Sequence, residues 1–396
     1  MAGTGAPQEL GRAHIAGPDH LTDAPAGAPA IARLPELVAQ LPDAARARFD
    51  RLFELRVDTA RTNPPPEMDR WLTEYFGSVD AVREQTVVRL TDRVMLEGTV
   101  FAPLRALRPV DGDGRTPDDA RVAGEIDTTR DDPFCDPLHG TPAAAWGRVR
   151  GHAAVSGANA AAYDAEHGIL VFDDHDPLAF DVEDVADLLA LGRRWADAAR
   201  ATDPAADRYL FLWNCLWRAG GSIIHGHAQT LLGHGRHHAR LERWRRDAAA
   251  YAAASGHHYL DDLLAAHRDL GLAVPLPGAT LISSLTPVKE RELWLVADSA
   301  VDDASTAFRT SVGRVVTAYR DVLGVRAFNL ALWRAPLDAT WPELRPLVRI
   351  VDRGAPFVRP SDIGAMELFA TPVVGSDPFE VIADLREALA GPPSGA

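Results

Sequence analysis

The 396-residue chain predicts a fold that mixes strands and helices in two successive blocks of similar element order. Three observations carry this reading. The apolar runs Gly168-Ile169-Leu170-Val171-Phe172 and Tyr209-Leu210-Phe211-Leu212-Trp213-Asn214 have the length and composition of buried strands. Between them, residues 182–198 recur at helical spacing behind the acids around Asp181. The pattern then returns in strand runs at Thr280-Leu281-Ile282-Ser283-Ser284 and Glu292-Leu293-Trp294-Leu295-Val296-Ala297, a helix over about 304–323, and strands at 327–333 and 347–351.

In chain order, residues 1–30 are rich in Ala, Gly and Pro and read as a disordered tail. Residues 34–57 place Leu37, Val38, Leu41, Ala45, Phe49, Leu52 and Phe53 at helical spacing, which predicts one amphipathic helix. Pro64-Pro65-Pro66 breaks the chain, and a short helix follows through Trp71 and Phe76. Residues 86–108 alternate in part and predict an accessory hairpin or sheet edge, closed by a Gly/Asp loop at 111–119. The expected units are therefore a tail (1–30), a helical and accessory N-terminal region (31–119), a first block (120–235), a helical connector (236–275) and a second block (276–392). The connector carries His237, His238, His257, His258 and His267, and of this stretch His234, His237, His238, His257 and His258 read as surface histidines of a polar helix.

Composition removes several functions. With 41 basic and 56 acidic residues the net charge is −15, which disfavours a nucleic-acid partner. Two cysteines, Cys135 and Cys215, are too few for a disulfide framework. The first thirty residues lack a basic start and an apolar core, so no signal peptide is expected there. No apolar run approaches the roughly 18 residues of a membrane span. A cytoplasmic protein acting on small molecules is expected.

The most informative segment is Gly220-Gly221-Ser222-Ile223-Ile224-His225-Gly226-His227-Ala228-Gln229. On a strand, His225, His227 and Gln229 would share one face, because side chains alternate. A glycine-lined approach lets backbone N–H groups come close to an anion. The alternative is a half-buried strand whose histidines are merely hydrogen-bonded.

This segment resembles the active-site strand of the galactose-1-phosphate uridylyltransferase branch of the histidine-triad (HIT) superfamily, whose usual form is Gly-Cys-Ser-Asn-Pro-His-Pro-His-Gly-Gln. Gly220, Ser222, His225, His227 and Gln229 match; Gly221, Ile223-Ile224 and Gly226 depart from it. Upstream, Asn214 stands where the family has a phosphate-contacting asparagine. The resemblance implies an α+β fold of two HIT-like halves, the second degenerate, forming one large, mainly antiparallel sheet flanked by helices. It also implies that His227 is the nucleophile that carries the nucleotide, that Gln229 and Ser222 bind phosphate oxygens, and that Gly220 and Gly221 bring their backbone to the same group.

A metal site is implied in the same way. Asp132-Pro133-Phe134-Cys135 resembles the family's Cys-Pro-x-Cys knuckle with Asp for the first Cys, His175 matches a ligand after the second strand, and His225 matches the fourth. Zinc accepts such a donor set, and the metal would be structural. The family's iron site has no histidines here, where Arg345-Pro346-Leu347-Val348-Arg349-Ile350 stands in its place, so no iron is expected.

Asn159, in Val155-Ser156-Gly157-Ala158-Asn159, resembles the family's nucleotide-gripping asparagine, while Ala160 replaces the neighbouring acid and leaves a purine open. Gly364 and Glu367 are what remains of the family's acceptor-binding stretch, which a partner subunit supplies there, so a homodimer is implied. The reading is a nucleotidyltransferase moving a nucleoside monophosphate from a nucleoside diphosphate sugar to a phosphate acceptor. Its alternatives are a dinucleotide or nucleotide-sugar phosphorylase or hydrolase, a nucleotide-binding protein with a decayed sugar site, and a metalloenzyme with both histidines as ligands.

Overall fold

The computed structural model describes residues 28–107 and 118–391. The expected tail up to residue 27, most of the Gly/Asp loop and residues 392–396 lie outside them.

The N-terminal region departs from the single helix its spacing predicts. Two short helices, α1 (Leu34–Ala39) and α2 (Asp43–Leu52), are separated at Pro42, and the chain then turns into strand β1 (Phe53–Arg61). The physical reason is a change of period at Phe53. Leu55, Val57 and Thr59 alternate with Glu54, Arg56 and Asp58, and this stretch pairs antiparallel with β2 (Glu84–Asp92). The helices α3 (Asp69–Phe76) and α4 (Val79–Arg83) lie between them, and β3 (Gly98–Phe101) adds to β2, as the expected hairpin. A two-residue strand, β13 (Val373–Val374), completes this four-stranded sheet in parallel with β3.

After α5 (Asp119–Asp127) come β4 (Ala154–Ala158), β5 (Glu166–Phe172), α6 (Val182–Thr202), β6 (Ala206–Cys215) and β7 (His227–His234). Helices α7 (Ala239–Ser255) and α8 (Tyr259–Asp269) form the connector. His237 and His238 precede α7, His257 and His258 sit in the break, and only His267 is helical. His237 and His267 are buried, so these residues do not form one histidine-bearing surface. The chain continues through β8 (Ala273–Leu276), β9 (Ala279–Ser283), β10 (Glu290–Ala297), α9 (Thr306–Asp321), β11 (Phe328–Trp333), β12 (Leu347–Asp352), α10 (Ala365–Phe369), β13 and α11 (Pro378–Ala390).

Nine strands form one antiparallel sheet in the order β4-β5-β7-β6-β11-β12-β10-β9-β8. The order β4-β5-β7-β6 is thus repeated in reverse as β11-β12-β10-β9, and the repeats meet where β6 pairs with β11. Each repeat contributes one long helix, α6 or α9, and the two helices pack together on one face. Close approach requires small residues there. A Cβ on Gly168 would fall 2.5 Å from the Trp195 ring of α6, and one on Gly192 would fall 2.6 Å from the Tyr209 hydroxyl. Asp181 caps α6 by accepting from the amides of Glu183 and Asp184, as the acids at its start predict. Among the described residues no helix is long and apolar enough to cross a membrane.

Candidate active site and metal centre

Register places the site on the sheet face away from α6 and α9. Val171 pairs with His227, Ile169 with Gln229 and Leu212 with Gln229, so His227 and Gln229 share a face with Ile169, Val171 and Leu212. The strand begins at His227, so His225 lies in the loop before it rather than on the strand as the spacing predicts. Its ring stays on the same side even so, because Phe134 meets both imidazoles edge-on, at 6.1 Å from His225 and 5.1 Å from His227.

Asp132, Cys135, His175 and His225 converge, with one donor atom from each lying within 4.8 Å of the others. His175 Nδ1 lies 3.1 Å from His225 Nδ1 and 3.3 Å from Cys135 Sγ, and His225 Nδ1 is 3.5 Å from that sulfur. On their far sides, His175 Nε2–H donates to the Ile126 carbonyl at 3.0 Å and His225 Nε2–H to the Phe172 carbonyl at 2.9 Å. Both Nδ1 atoms therefore carry bare lone pairs and face one another, an arrangement that a cation between them makes favourable. Asp132 Oδ1 accepts from the amides of Phe134 and Cys135, while its Oδ2 is buried with no partner. Tetrahedral zinc with Zn–N of about 2.0 Å and Zn–S of about 2.3 Å sets ligand–ligand edges of roughly 3.3–3.8 Å. The four groups fit such an ion.

His227 is joined to this cluster through the backbone. Its Nδ1–H donates to the His225 carbonyl at 2.9 Å, which leaves Nε2 as the bare nitrogen, without a partner among the described residues. Burial pushes its protonated form below the ordinary histidine range, so the ring is neutral at pH 7. A fixed tautomer, a free lone pair and no charge are the requirements of an imidazole nucleophile.

Gln229, two residues on, is held at its oxygen. Oε1 accepts from the Tyr163 hydroxyl at 2.7 Å and lies 3.1 Å from His167 Nε2. Tyr163 is 64% exposed and its ring sits 4.1 Å from the His167 ring. Asn159 follows β4, accepts from the Ala161 amide at 2.9 Å through Oδ1, and puts Nδ2 3.2 Å from His167 Nε2. Tyr163 and His167 had no role on sequence grounds. The available signal was a histidine inside the otherwise apolar run of β5.

The turn into the site has left-handed residues at Leu216 (φ 65°) and Gly220 (φ 94°). The amides of Gly220 and Gly221 donate to Trp217 O and Leu216 O, at 3.0 and 3.1 Å, so both are committed to the turn and not to a phosphate. Further along, the amides of Ser222 and Ile223 make no hydrogen bond among the described residues. Asn214 is paired in register with Asn329, whose Nδ2 donates to Asn214 Oδ1 at 2.7 Å, and Arg353 Nη1 donates to Asn329 Oδ1 at 2.5 Å. Asn329 and Arg353 also went unpredicted. Asn329 is a lone amide in an apolar strand, as Asn214 is.

Gly364 and Glu367 are placed within their own chain. With Arg218, Lys289, Arg353 and Asp362 they line a cavity of about 420 Å³. Arg218, in the turn ahead of Gly220, donates to the carbonyls of Arg353, Val358 and Pro360, so the segment is tied to the site-bearing loop of the same chain. Glu367 Oε2 accepts from the Gly364 amide at 2.8 Å and caps α10. Around it Met366, Leu368 and Phe369 are exposed, Phe369 by 87%.

The fold is shared with solved structures. An ADP-glucose phosphorylase from Arabidopsis thaliana with bound ADP-glucose matches with a TM-score of 0.58 and 16% identity, over 75% of this chain and 97% of that one. A GalT-like protein from Arabidopsis thaliana matches with a TM-score of 0.54 and 16% identity, over 65% and 92%. A uridylyltransferase gives a TM-score of 0.50 and 15% identity, over 63% and 88%. No family model and no curated protein matches the sequence. The α+β architecture implied by the resemblance is the one observed.

Proposed function

We propose that the chain is a nucleotidyltransferase that moves a nucleoside monophosphate from a nucleoside diphosphate sugar to a phosphate acceptor through His227. The observation that carries this reading is the His227 tautomer, with Nδ1–H fixed on the His225 carbonyl and Nε2 bare. In the first step the Nε2 lone pair attacks the α-phosphorus. The bond to the bridging oxygen breaks, and the sugar phosphate leaves with that electron pair. In the second, an oxygen of the acceptor phosphate attacks the phosphoramidate, and the P–N electron pair returns to Nε2. Gln229, Ser222 and Asn214 would donate to phosphate oxygens in both steps, where donors already in place count most. Asn159 would hold the nucleoside.

Asp132, Cys135, His175 and His225 would hold one zinc ion, whose chemistry is structural: it neutralises the clustered lone pairs and fixes the His225 loop. His225 in turn presents the carbonyl that sets the His227 tautomer. In this reading the first block, 120–235, is the catalytic half and the second, 276–392, the degenerate one.

Inorganic phosphate is the acceptor in a second reading, nucleotide-sugar phosphorolysis. It is favoured by Glu367, whose Oε2 accepts from the Gly364 amide at the cap of α10, so that one of its two oxygens is already engaged. Incubating the protein with ADP-glucose or UDP-glucose, and either glucose 1-phosphate, galactose 1-phosphate or inorganic phosphate, separates the two. Acid-labile label on His227 supports both readings, and its absence with every donor removes both.

The exposed apolar residues of α10 fit a homodimer, since such groups on a monomer surface favour a partner. Phe369→Ser should shift the mass in solution from dimer to monomer. A wild-type monomer at micromolar concentration would dismiss the idea.

A further inference from the structure

The Gln229 amide reaches a phosphate only if its –NH2 end faces the ligand, and an amide on an exposed strand face flips freely unless its oxygen is engaged. We propose that Tyr163 and His167 are positioning residues that lock the Gln229 side chain with its oxygen held and its –NH2 presented to the nucleotide phosphate. This rests on the transfer reading above and adds the device that orients its phosphate donor.

Oxygen and nitrogen of this amide differ in their surroundings. Oε1 receives the Tyr163 hydroxyl at 2.7 Å and faces His167 Nε2 at 3.1 Å, while Gln229 Nε2 has no partner among the described residues. Tyrosine can donate one proton, and among the described residues the acceptor of the Tyr163 proton is that oxygen.

His167 can adopt two neutral tautomers, and burial separates them. Its Nδ1 is buried with no partner. If Nδ1 carried the proton, a donor would be orphaned, which costs about 1–3 kcal/mol. If Nε2 carries it, the orphan is a lone pair and the proton falls on Gln229 Oε1. The second tautomer adds another donor to the oxygen. Its cost is the contact from Asn159 Nδ2 at 3.2 Å, which a protonated Nε2 cannot accept.

Placement supports the same role. Gln229 shares its strand face with His227, and His167 is on that face of the adjoining β5, paired with Leu231. Tyr163 is exposed, and its ring packs on His167 at 4.1 Å, so its fixed contacts are to the two residues it would orient. A residue kept for stability would bury its ring.

The test is single-turnover labelling of the full chain with ADP-glucose and, in parallel, UDP-glucose, each radiolabelled at the α-phosphate. Tyr163→Phe should lower the rate constant of phosphoramidate formation about tenfold, with the half-saturating donor concentration changed less than about twofold. Its melting temperature should match the wild type, because the ring is exposed. Gln229→Ala should lower the rate about 100-fold. Adding Tyr163→Phe to Gln229→Ala should cost nothing further, since the hydroxyl then has no amide to orient. His167→Gln, which keeps a donor, should stay within about threefold of wild type, and His167→Leu should fall as Tyr163→Phe does. A Tyr163→Phe protein as fast as wild type, or losses that multiply in the double variant, overturns the proposal. A wild-type chain labelled by neither donor overturns the transfer reading itself, and this device with it.

Discussion

The two halves of the large sheet are built alike and face different surroundings. In the first, the face bearing His227, Gln229 and His167 carries Phe134 against the His227 ring, Ile223 beside Phe134, and Tyr163 against the His167 ring. In the second, the same face continues across β11 and β12 through Asn329, Val351 and Arg349. There the small sheet and the connector roof it over: Thr99 donates to the Pro287 carbonyl at 2.7 Å, and Tyr259 donates to Asp92. Arg349 is buried beneath them, bonded to Glu292 Oε1 at 2.6 Å and stacked between Trp294 and Trp333 at 4.4 and 4.9 Å. One repeat therefore keeps polar side chains open to a ligand, and the other turns the corresponding surface into an interior with an ion pair. The lesson is that the covering elements, not the ββαββ unit, decide what the same sheet face becomes in each half.

The largest expected effect tests that division directly. His227→Ala should reduce turnover by at least about 10⁴-fold, the scale of losing a covalent nucleophile. Val351→Ala on the roofed half should change it less than about threefold. Comparable losses from both, measured as kcat on folded protein, would dissolve the distinction.

Next is Glu292→Gln, which removes the nearer of the two carboxylates that face Arg349 and leaves it with Glu97 at 3.5 Å. Removing one member of a buried pair costs up to about 3–5 kcal/mol, and the remaining carboxylate should hold the loss to about 1–3 kcal/mol. Urea unfolding should show that loss, while His227 labelling below the transition stays at the wild-type rate. A variant as stable as wild type would mean that the pair contributes little to the second half.

The connector supplies a pH test. His267 is fully buried, its Nδ1–H donates to the Leu263 carbonyl at 2.8 Å and its Nε2 accepts from the Leu285 amide at 3.2 Å. Burial lowers its pKa to about 4. The unfolded chain takes up the proton near pH 6.5 and the folded chain does not until about 4. Stability is therefore full above 6.5 and falls as pH drops through this window, by up to about 3 kcal/mol. His267→Gln should flatten that acid limb of the urea midpoint, and an unchanged limb would assign it to other groups.

Smaller again is the metal-site effect on rate. His175→Ala should lower zinc content from about one equivalent to below a tenth, and turnover by about 10- to 100-fold, because His227 keeps its ring but loses the fixed carbonyl. Normal metal content in this variant would remove the four-residue centre.

Much of the first half was legible because its signals are local. The strand and helix runs at 168–172, 182–198 and 209–214 appear where their periodicities place them, since period 2 and period 3.6 are written in neighbouring residues. The helix expected over 34–57 failed at the point where one period gives way to the other. Gly220 and Gly221 were legible as a turn, but which amides the turn consumes depends on Leu216 and Trp217 carbonyls that only the folded loop brings round.

By itself the sequence put His225, His227 and Gln229 at alternate positions, because residue type and short spacing suffice for that, while Asp132, Cys135 and His175 entered as ligands only through the family resemblance. Tertiary structure decided the rest. The His227 tautomer follows from a carbonyl fixed by the loop, the Asn214–Asn329 pair from the meeting of two repeats, and the hold on Gln229 from a tyrosine 66 residues away. The burial of Arg349 follows from a roof supplied by the small sheet and the connector, distant in sequence from β12. Contacts at such separations are set by how sheets and helices close over one another, and no local periodicity encodes that closure.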